Sequence, residues 1–447
     1  MNRPPVQTPA EPSKPAIVAP GESNPAALSA PQSYKWELLA LLCGTFFLHQ
    51  SDRAIFGVVL SEIVRDLHLA QSEVGLIGST LFVVLALMMP VAGYVGDFYN
   101  RKWIIVGSLL FWSSATFCTG ITTGLVGMLL LRSVATGGGE SFYTPSAYPL
   151  IAAYHQRTRT LALSIHQATL YIAMMTSGFV AGYIGQHLGW RSAFFIFGSA
   201  GLVLGMILFA RMRSAPVASI RGTNMSQAKV RPLEALALIF RKRTALLITI
   251  GYTALVLQFN AYVVWTPTFM REKFGLSLTQ AGGLAMSCLY LASMGGVLAG
   301  GYVSDRMVRS RPGFRLELQG VAICLCAPAI LIMAFSDSLV MTCIGMVALG
   351  LCQGTYQSNT PAALFDVIEP RFRSSVLGMQ VMLTYLVGSA SPWGVGRLRE
   401  VFGDTRGVSI GFAMLAIAYL VGGLAAMIAR LFTFDRDRCR EPAAGLE

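Results

Sequence analysis

The feature that most constrains this chain is a recurrence. From residue 36 to residue 431, apolar stretches follow one another, each about as long as a bilayer is thick. A helix rises about 1.5 Å per residue, so about 20 apolar residues cross a hydrocarbon core of about 30 Å. Twelve such spans are read at 36–60, 74–96, 103–122, 124–154, 160–186, 191–211, 244–270, 280–303, 317–336, 338–365, 374–398 and 407–431. The expected fold is an all-α membrane protein. Composition agrees: 13% of residues are charged, against about 25% in soluble chains.

The formal charge of +12 would suit nucleic acid, but the cations sit in short loops between spans, which points to membrane topology. With both termini cytoplasmic, 25 of the 34 Lys and Arg fall in inner segments, seven in outer loops, and Arg53 and Arg132 inside spans. That asymmetry predicts a multi-pass protein of the plasma (cell inner) membrane with both ends inside. Residues 1–34 hold eight of the twenty prolines and no apolar run, so they read as a disordered cytoplasmic tail. The remaining divisions are a six-helix bundle (35–211), a cytoplasmic linker (212–243), a second six-helix bundle (244–431) and a tail (432–447). The eight cysteines lie mostly in apolar spans and read as small buried hydrophobes. They form no disulfide framework or metal set.

The two halves repeat. "GYVGDFYNR" (93–101) matches "GYVSDRMVR" (301–309), with Gly, Asp and Arg at the same spacing. Arg157 and Arg159 after span 4 match Arg371 and Arg373 after span 10. Equivalent loops on one side imply parallel repeats about an axis along the membrane normal, a 6+6 pseudo-twofold.

At these residues the chain resembles the major facilitator superfamily, whose loop between spans 2 and 3 reads G-x-x-x-D-x-x-x-R-[KR]. Here that is Gly93, Asp97, Arg101 and Lys102, echoed by Gly301, Asp305 and Arg309. The Asp52-Arg53 pair, "GYVGDFYNRK" with "FWSSAT", and "GGGESFYTPSAYPLI" resemble the spinster-like branch. That resemblance implies proton-linked transport, in some members of lysolipids or sphingoid lipids. Anion:cation symporters of the same superfamily share an Asp-Arg pair in span 1. The family stretch in span 4 reads R-x-x-x-G-x-G-E, seven residues from Arg to Glu. Here Arg132 to Glu140 is eight, and one extra residue turns Arg132 by about 100° on a regular helix.

The resemblance implies that Asp97 latches onto the start of span 11, where backbone N–H groups lack partners. Gly93 would allow close approach, while Arg101 and Lys102 either serve the latch or simply enforce topology. Asp305 and Arg309 are the second-half candidates for gating.

Charges within spans cost roughly 2.5–3.5 kcal/mol each on insertion scales. His49, Asp52 and Arg53 stand at i, i+3 and i+4 of span 1, on one helical face. Span 4 adds Arg132, and Glu140 near its midpoint. All five are expected to face the space between bundles. Glu140 is expected to pair with Arg53 and leave Asp52 to titrate, which makes these residues the proton-coupling candidates. The alternative is a fully paired structural network.

Substrate-binding candidates are His166, Gln167 and Tyr171 in span 5. In the second half, whose spans are polar but almost uncharged, they are Gln258, Trp265, Tyr356, Gln357 and Gln380. Packing and interhelical hydrogen bonding are the alternative for each.

No Walker A loop occurs, so ATP drive within the chain is not expected. Five scattered histidines without H-E-x-x-H argue against a metalloenzyme, and short tails against a sensor. The expectation is a secondary active transporter and not an enzyme. It needs no cofactor, with the proton as coupling ion, and works as a monomer on a small-molecule or lipid-like substrate, with membrane lipids and no nucleic acid as partners. The alternatives are an uptake symporter for a small organic anion such as a sugar acid, and a non-coupled facilitator.

Overall fold

The computed structural model describes residues 32–213, 232–308 and 310–439. Most of the predicted N-terminal tail, the middle of the linker, Arg309 and the last eight residues lie outside these, as do the side chains of Gln32, Asp97 and Phe98.

The first half contains α1 (Gln32–Val58), the short α2 (Leu60–Leu67), α3 (Gln71–Phe98), α4 (Arg101–Thr119), α5 (125–154), α6 (Arg159–Leu188) and α7 (Trp190–Arg211). A linker helix, α8 (Pro232–Arg241), precedes the second half. That half is α9 (Arg243–Phe274), α10 (Leu278–Val308), α11 (Phe314–Phe335), α12 (Leu339–Val367), α13 (373–402) and α14 (Asp404–Ile428, continued to Asp437). All helices but α2 and α8 correspond to the twelve expected spans. Helices suit these sequences because a helix satisfies its own backbone within lipid.

Eight of the twelve are long and apolar enough to cross a membrane by length and composition alone. The other four fall short for visible reasons. The polar run 49–53 interrupts α1, and α4 is only 19 residues long with Arg101 and Lys102 at its start. α5 and α13 are each broken in mid-span.

α5 comprises Leu125–Gly127, a π-helical segment Met128–Ala135, Thr136–Glu140 and, after a turn, Tyr143–Tyr154. In the π segment the Thr136 N–H donates to the Leu131 carbonyl five residues back. α13 breaks at Ser389 into Arg373–Gly388 and Ala390–Phe402. There the Ser391 hydroxyl bridges the Leu257 and Gly388 carbonyls at 2.6 and 2.9 Å.

Three domain boundaries differ from the sequence reading. α1 begins at Gln32, inside the predicted tail. The linker contains α8, whose buried Ala235 and Ile239 pack with Leu364, Val367 and Val376 of the second half. The predicted tail from 432 continues α14 to Asp437, whose carboxylate accepts from the Thr244 N–H at 2.9 Å.

The halves meet at the end of the molecule opposite the linker, here called the distal face. One apolar cluster runs from Ala54, Val59 and Ile77 of the first half to Val263, Phe269 and Met286 of the second. Polar ties overlie it. Arg271 Nη1 donates to Ser61 Oγ and Glu62 Oε1, both at 2.6 Å. The Ser72 N–H donates to Glu400 Oε1 at 2.8 Å, the Trp393 N–H to Ser79 Oγ at 3.0 Å, and Thr279 Oγ1 to Gln186 Oε1 at 2.9 Å. A Cβ on Gly75 would run into the backbone of Pro392 and Trp393, so α3 and α13 touch there. Towards the linker face two glycines of the same helices face open space. A Cβ on Gly93 of α3 or Gly378 of α13 would meet nothing within 4 Å. The molecule is therefore closed distally, and Gly93 and Gly378 nearer the linker face are open.

Candidate functional site

Within the first half, α1 and α5 bring the intramembrane charges together. Arg132 Nη1 donates to Asp52 Oδ2 at 3.1 Å, and Nη2 to the Asp52 carbonyl at 2.8 Å. Arg53 Nε donates to Glu140 Oε2 at 3.2 Å, and His49 Nε2 stands 3.7 Å from the same oxygen. All five side chains are buried. The two acid–base pairs sit a turn or two apart on α5, and Asp52 and Arg53 take one each because sequence neighbours point about 100° apart on a helix.

The π segment decides this arrangement. Eight residues of regular helix would rotate Arg132 away from Glu140's face. A π turn takes in an extra residue with little net rotation, and it lies at 128–135, around Arg132 itself. The extra residue noted in the sequence thus leaves Arg132 on Asp52. Asp52 is therefore paired with Arg132, where the sequence reading gave it no partner.

The surroundings fix these groups. Ser133 Oγ donates to the Ile77 carbonyl at 2.7 Å, tying α5 to α3. Gly137 and Gly139 abut Leu81 and Trp112, so α5 packs tightly on α3 and α4 just before Glu140. Phe46, Tyr143 and Trp112 enclose the His49 ring. Tyr385 of α13, from the second half, faces the Arg53 guanidinium.

The remaining candidates divide. His166 Nε2 lies 2.8 Å from the Tyr143 hydroxyl, which also donates to the Leu42 carbonyl at 2.6 Å, so His166 joins α1, α5 and α6. Gln167 Oε1 accepts from the Tyr148 hydroxyl at 2.9 Å, and Tyr171 is buried beside them. In the second half Gln258 is fully buried with both amide atoms lacking a protein partner, and Gln380 uses Nε2 on Thr249 Oγ1 at 3.3 Å while its Oε1 has none. Tyr356 is buried against Gly251, and Gln357 is partly buried.

Trp265 is placed elsewhere. Its indole N–H donates to the Pro392 carbonyl at 2.9 Å under the distal closure, with the Arg399 guanidinium 5.0 Å above the ring. Arg399 in turn spans Glu272 and Asp404, each at 2.9 Å. A buried tryptophan so held is a strut of the closed face. Sequence reading missed this cluster, along with Glu62, Arg271 and Glu400, because its charges lie at helix ends, where solvated charges are ordinary.

Of the gating candidates, Asp305 contacts Arg315 at 3.4 Å, and Arg315 pairs with Asp366 at 3.0 Å, all within the second half. The Lys102 ammonium lies over the Trp103 and Phe209 rings. Gly93 faces open space, and Arg101 is partly buried at the start of α4. The Asp97 side chain and Arg309 fall outside the described residues. Among the described residues no group of His, Cys, Asp and Glu is placed to hold a metal ion.

Comparison with known proteins adds the following. The Major Facilitator Superfamily sequence model matches residues 42–392. An MFS-type efflux pump of Mycolicibacterium smegmatis is 26% identical over 87% of this chain and 91% of its own length. Protein spinster homolog 1 of Homo sapiens is 26% identical over 92% of this chain and 83% of its own. The crystal structure of a bacterial homolog of the human lysosomal transporter Spinster, inward-facing and unoccupied, superposes with a TM-score of 0.78. It is 20% identical and covers 92% of this chain and all of that one.

Proposed function

Because the chain belongs to the Major Facilitator Superfamily and is a membrane transporter, we propose that it moves a small organic or amphipathic solute by alternating access, coupled to protons. On this reading the linker face is the cytoplasmic one, by its Lys and Arg excess, a distally closed molecule opens inward, and the membrane is the plasma (cell inner) membrane. One chain supplies both halves, so a monomer suffices, and no cofactor is needed.

The observation that carries this reading is the Arg53–Glu140 pair, with His49 behind it and Tyr385 of the other bundle in front. A proton on Glu140 removes the charge that holds Arg53, and the guanidinium, always ionised, turns to other acceptors. One group across the divide that faces it is the Tyr385 hydroxyl. Loading a proton thereby changes what joins the bundles, which is the requirement for tying one proton to one conformational cycle. The Asp52–Arg132 pair lies within the first half and anchors α1 to α5.

An amphipathic or uncharged solute needs no spare cation, whereas a sugar acid would have to take Arg53 once Glu140 is protonated. Arg53 and Arg132 are both engaged by carboxylates of their own bundle. Gln258, Gln380 and Gln357 supply polar contact on the second half, and the resemblance to the spinster-like branch implies an amphipathic class.

The test is flux into proteoliposomes of reconstituted protein. Glu140→Gln is expected to abolish transport driven by a pH gradient while leaving solute counterflow at a substantial fraction of wild type. Gradient-driven transport with unchanged pH dependence in that variant would overturn the coupling assignment.

A further inference from the structure

On the flank of the first half, away from the charge network, α3, α4 and α5 leave a hollow of about 740 Å³. That is within the roughly 300–1,000 Å³ of small-ligand pockets. Its walls are apolar but for Ser108, whose hydroxyl already donates to the Ile105 carbonyl at 3.1 Å. Several lining side chains, Phe111 among them, are exposed on the outer surface of the bundle, where lipid lies.

Two glycines shape it. A Cβ on Gly107 or Gly138 would meet nothing within 4 Å, unlike the neighbouring Gly137 and Gly139, which pack against other helices. The absent side chains at 107 and 138 leave room in the hollow.

Its length and its rim indicate the occupant. Along α3 the lining runs from Val84 to Val95, eleven residues or about 16 Å. Half of a hydrocarbon core is about 15 Å. The hollow therefore spans one leaflet, from mid-membrane to the linker-side rim. At that rim Trp103 is half exposed, with the Lys102 ammonium 5.3 Å above its ring and 5.7 Å from the Phe209 ring. A tryptophan at headgroup depth beside a lysine is the arrangement that meets an anionic headgroup.

We propose that this hollow holds one acyl chain of an anionic phospholipid from the linker-side leaflet, with its phosphate at Lys102. The lipid is a resident ligand of the first bundle and not the transported solute, so the assignment stands apart from the proton-coupling reading.

Native mass spectrometry of the full chain in detergent, titrated with palmitoyl-oleoyl phosphatidylglycerol or phosphatidylcholine, tests it. Wild type is expected to retain one phosphatidylglycerol at concentrations where phosphatidylcholine is lost. Gly107→Leu and Gly138→Leu should each lower that retention about tenfold, and Lys102→Gln should erase the headgroup preference. Gly394→Leu, at an open glycine of α13, should change nothing. If Gly138→Leu fails to fold, Gly107→Leu on a different helix decides. Equal retention by Gly107→Leu and wild type, or equal retention of the two lipids by wild type, would mean annular lipid only and end the proposal.

Discussion

Arg132 holds Asp52 through both its carboxylate and its backbone carbonyl, and both side chains are almost wholly buried. Removing one partner of such a pair leaves an uncompensated charge, at a cost of about 3–5 kcal/mol. Arg132→Ala is therefore expected to lower the thermal midpoint of the purified protein sharply. The double variant Asp52→Asn with Arg132→Gln should recover much of the loss, because no lone charge remains. Thermal unfolding followed by intrinsic fluorescence checks both. At this scale the sequence was partly legible. The residues stand out as a group because ions among Leu, Phe and Val are costly, and the i, i+3, i+4 spacing puts His49, Asp52 and Arg53 on one side. The partner of Asp52 was not legible, because it depends on how far α5 has turned by residue 132.

That turn belongs to the element scale. A π segment lets Arg132 and Glu140, eight positions apart, both meet α1. Deleting Ala135 restores the seven-residue spacing of the family pattern and should convert the segment to regular α-helix with both pairs intact. The deletion variant is expected to fold, to keep its thermal midpoint within a few degrees, and to transport. An experimental structure of it should show Arg132 still on Asp52. Inserting a further residue at the same place should instead break one pair and destabilise the protein. Hydropathy locates a helix but not its hydrogen-bond ladder, so neither this segment nor the break at Ser389 was foreseen. The twelve spans were, to within a few residues at most ends, because length and apolarity alone set them.

For the molecule as a whole, α3 and α13 touch distally, while Gly93 and Gly378, nearer the linker, face open space. The Glu400 carboxylate at the end of α13 receives the Ser72 N–H at the start of α3, where a helix offers unpaired donors and a positive dipole end. The resemblance assigns Asp97, at the opposite end of α3, the converse contact with the start of α13, so the two helices would trade one latch for the other as access alternates. Arg271, bound to Ser61 and Glu62, closes the same face. The double variant Arg271→Ala with Glu400→Gln should lose about 1 kcal/mol of distal closure. That shifts the ratio of closed to open forms about fivefold. Spin labels on the distal ends of α6 and α10 should report a larger long-distance population, and an unchanged distribution would remove these residues from the gate.

The sequence by itself determined that the chain crosses a membrane twelve times in two equivalent halves, and which charges needed burial away from lipid. Both follow from transfer free energies, which depend on composition along a segment and on little else. Tertiary structure alone decided that Arg132 meets Asp52, that Trp265 braces the distal face, and that Tyr385 is the second half's group opposite Arg53. Those outcomes turn on helix rotation and on the relative placement of two bundles, and a rotation of one residue, about 100°, exchanges one partner for another without changing the hydropathy of the span.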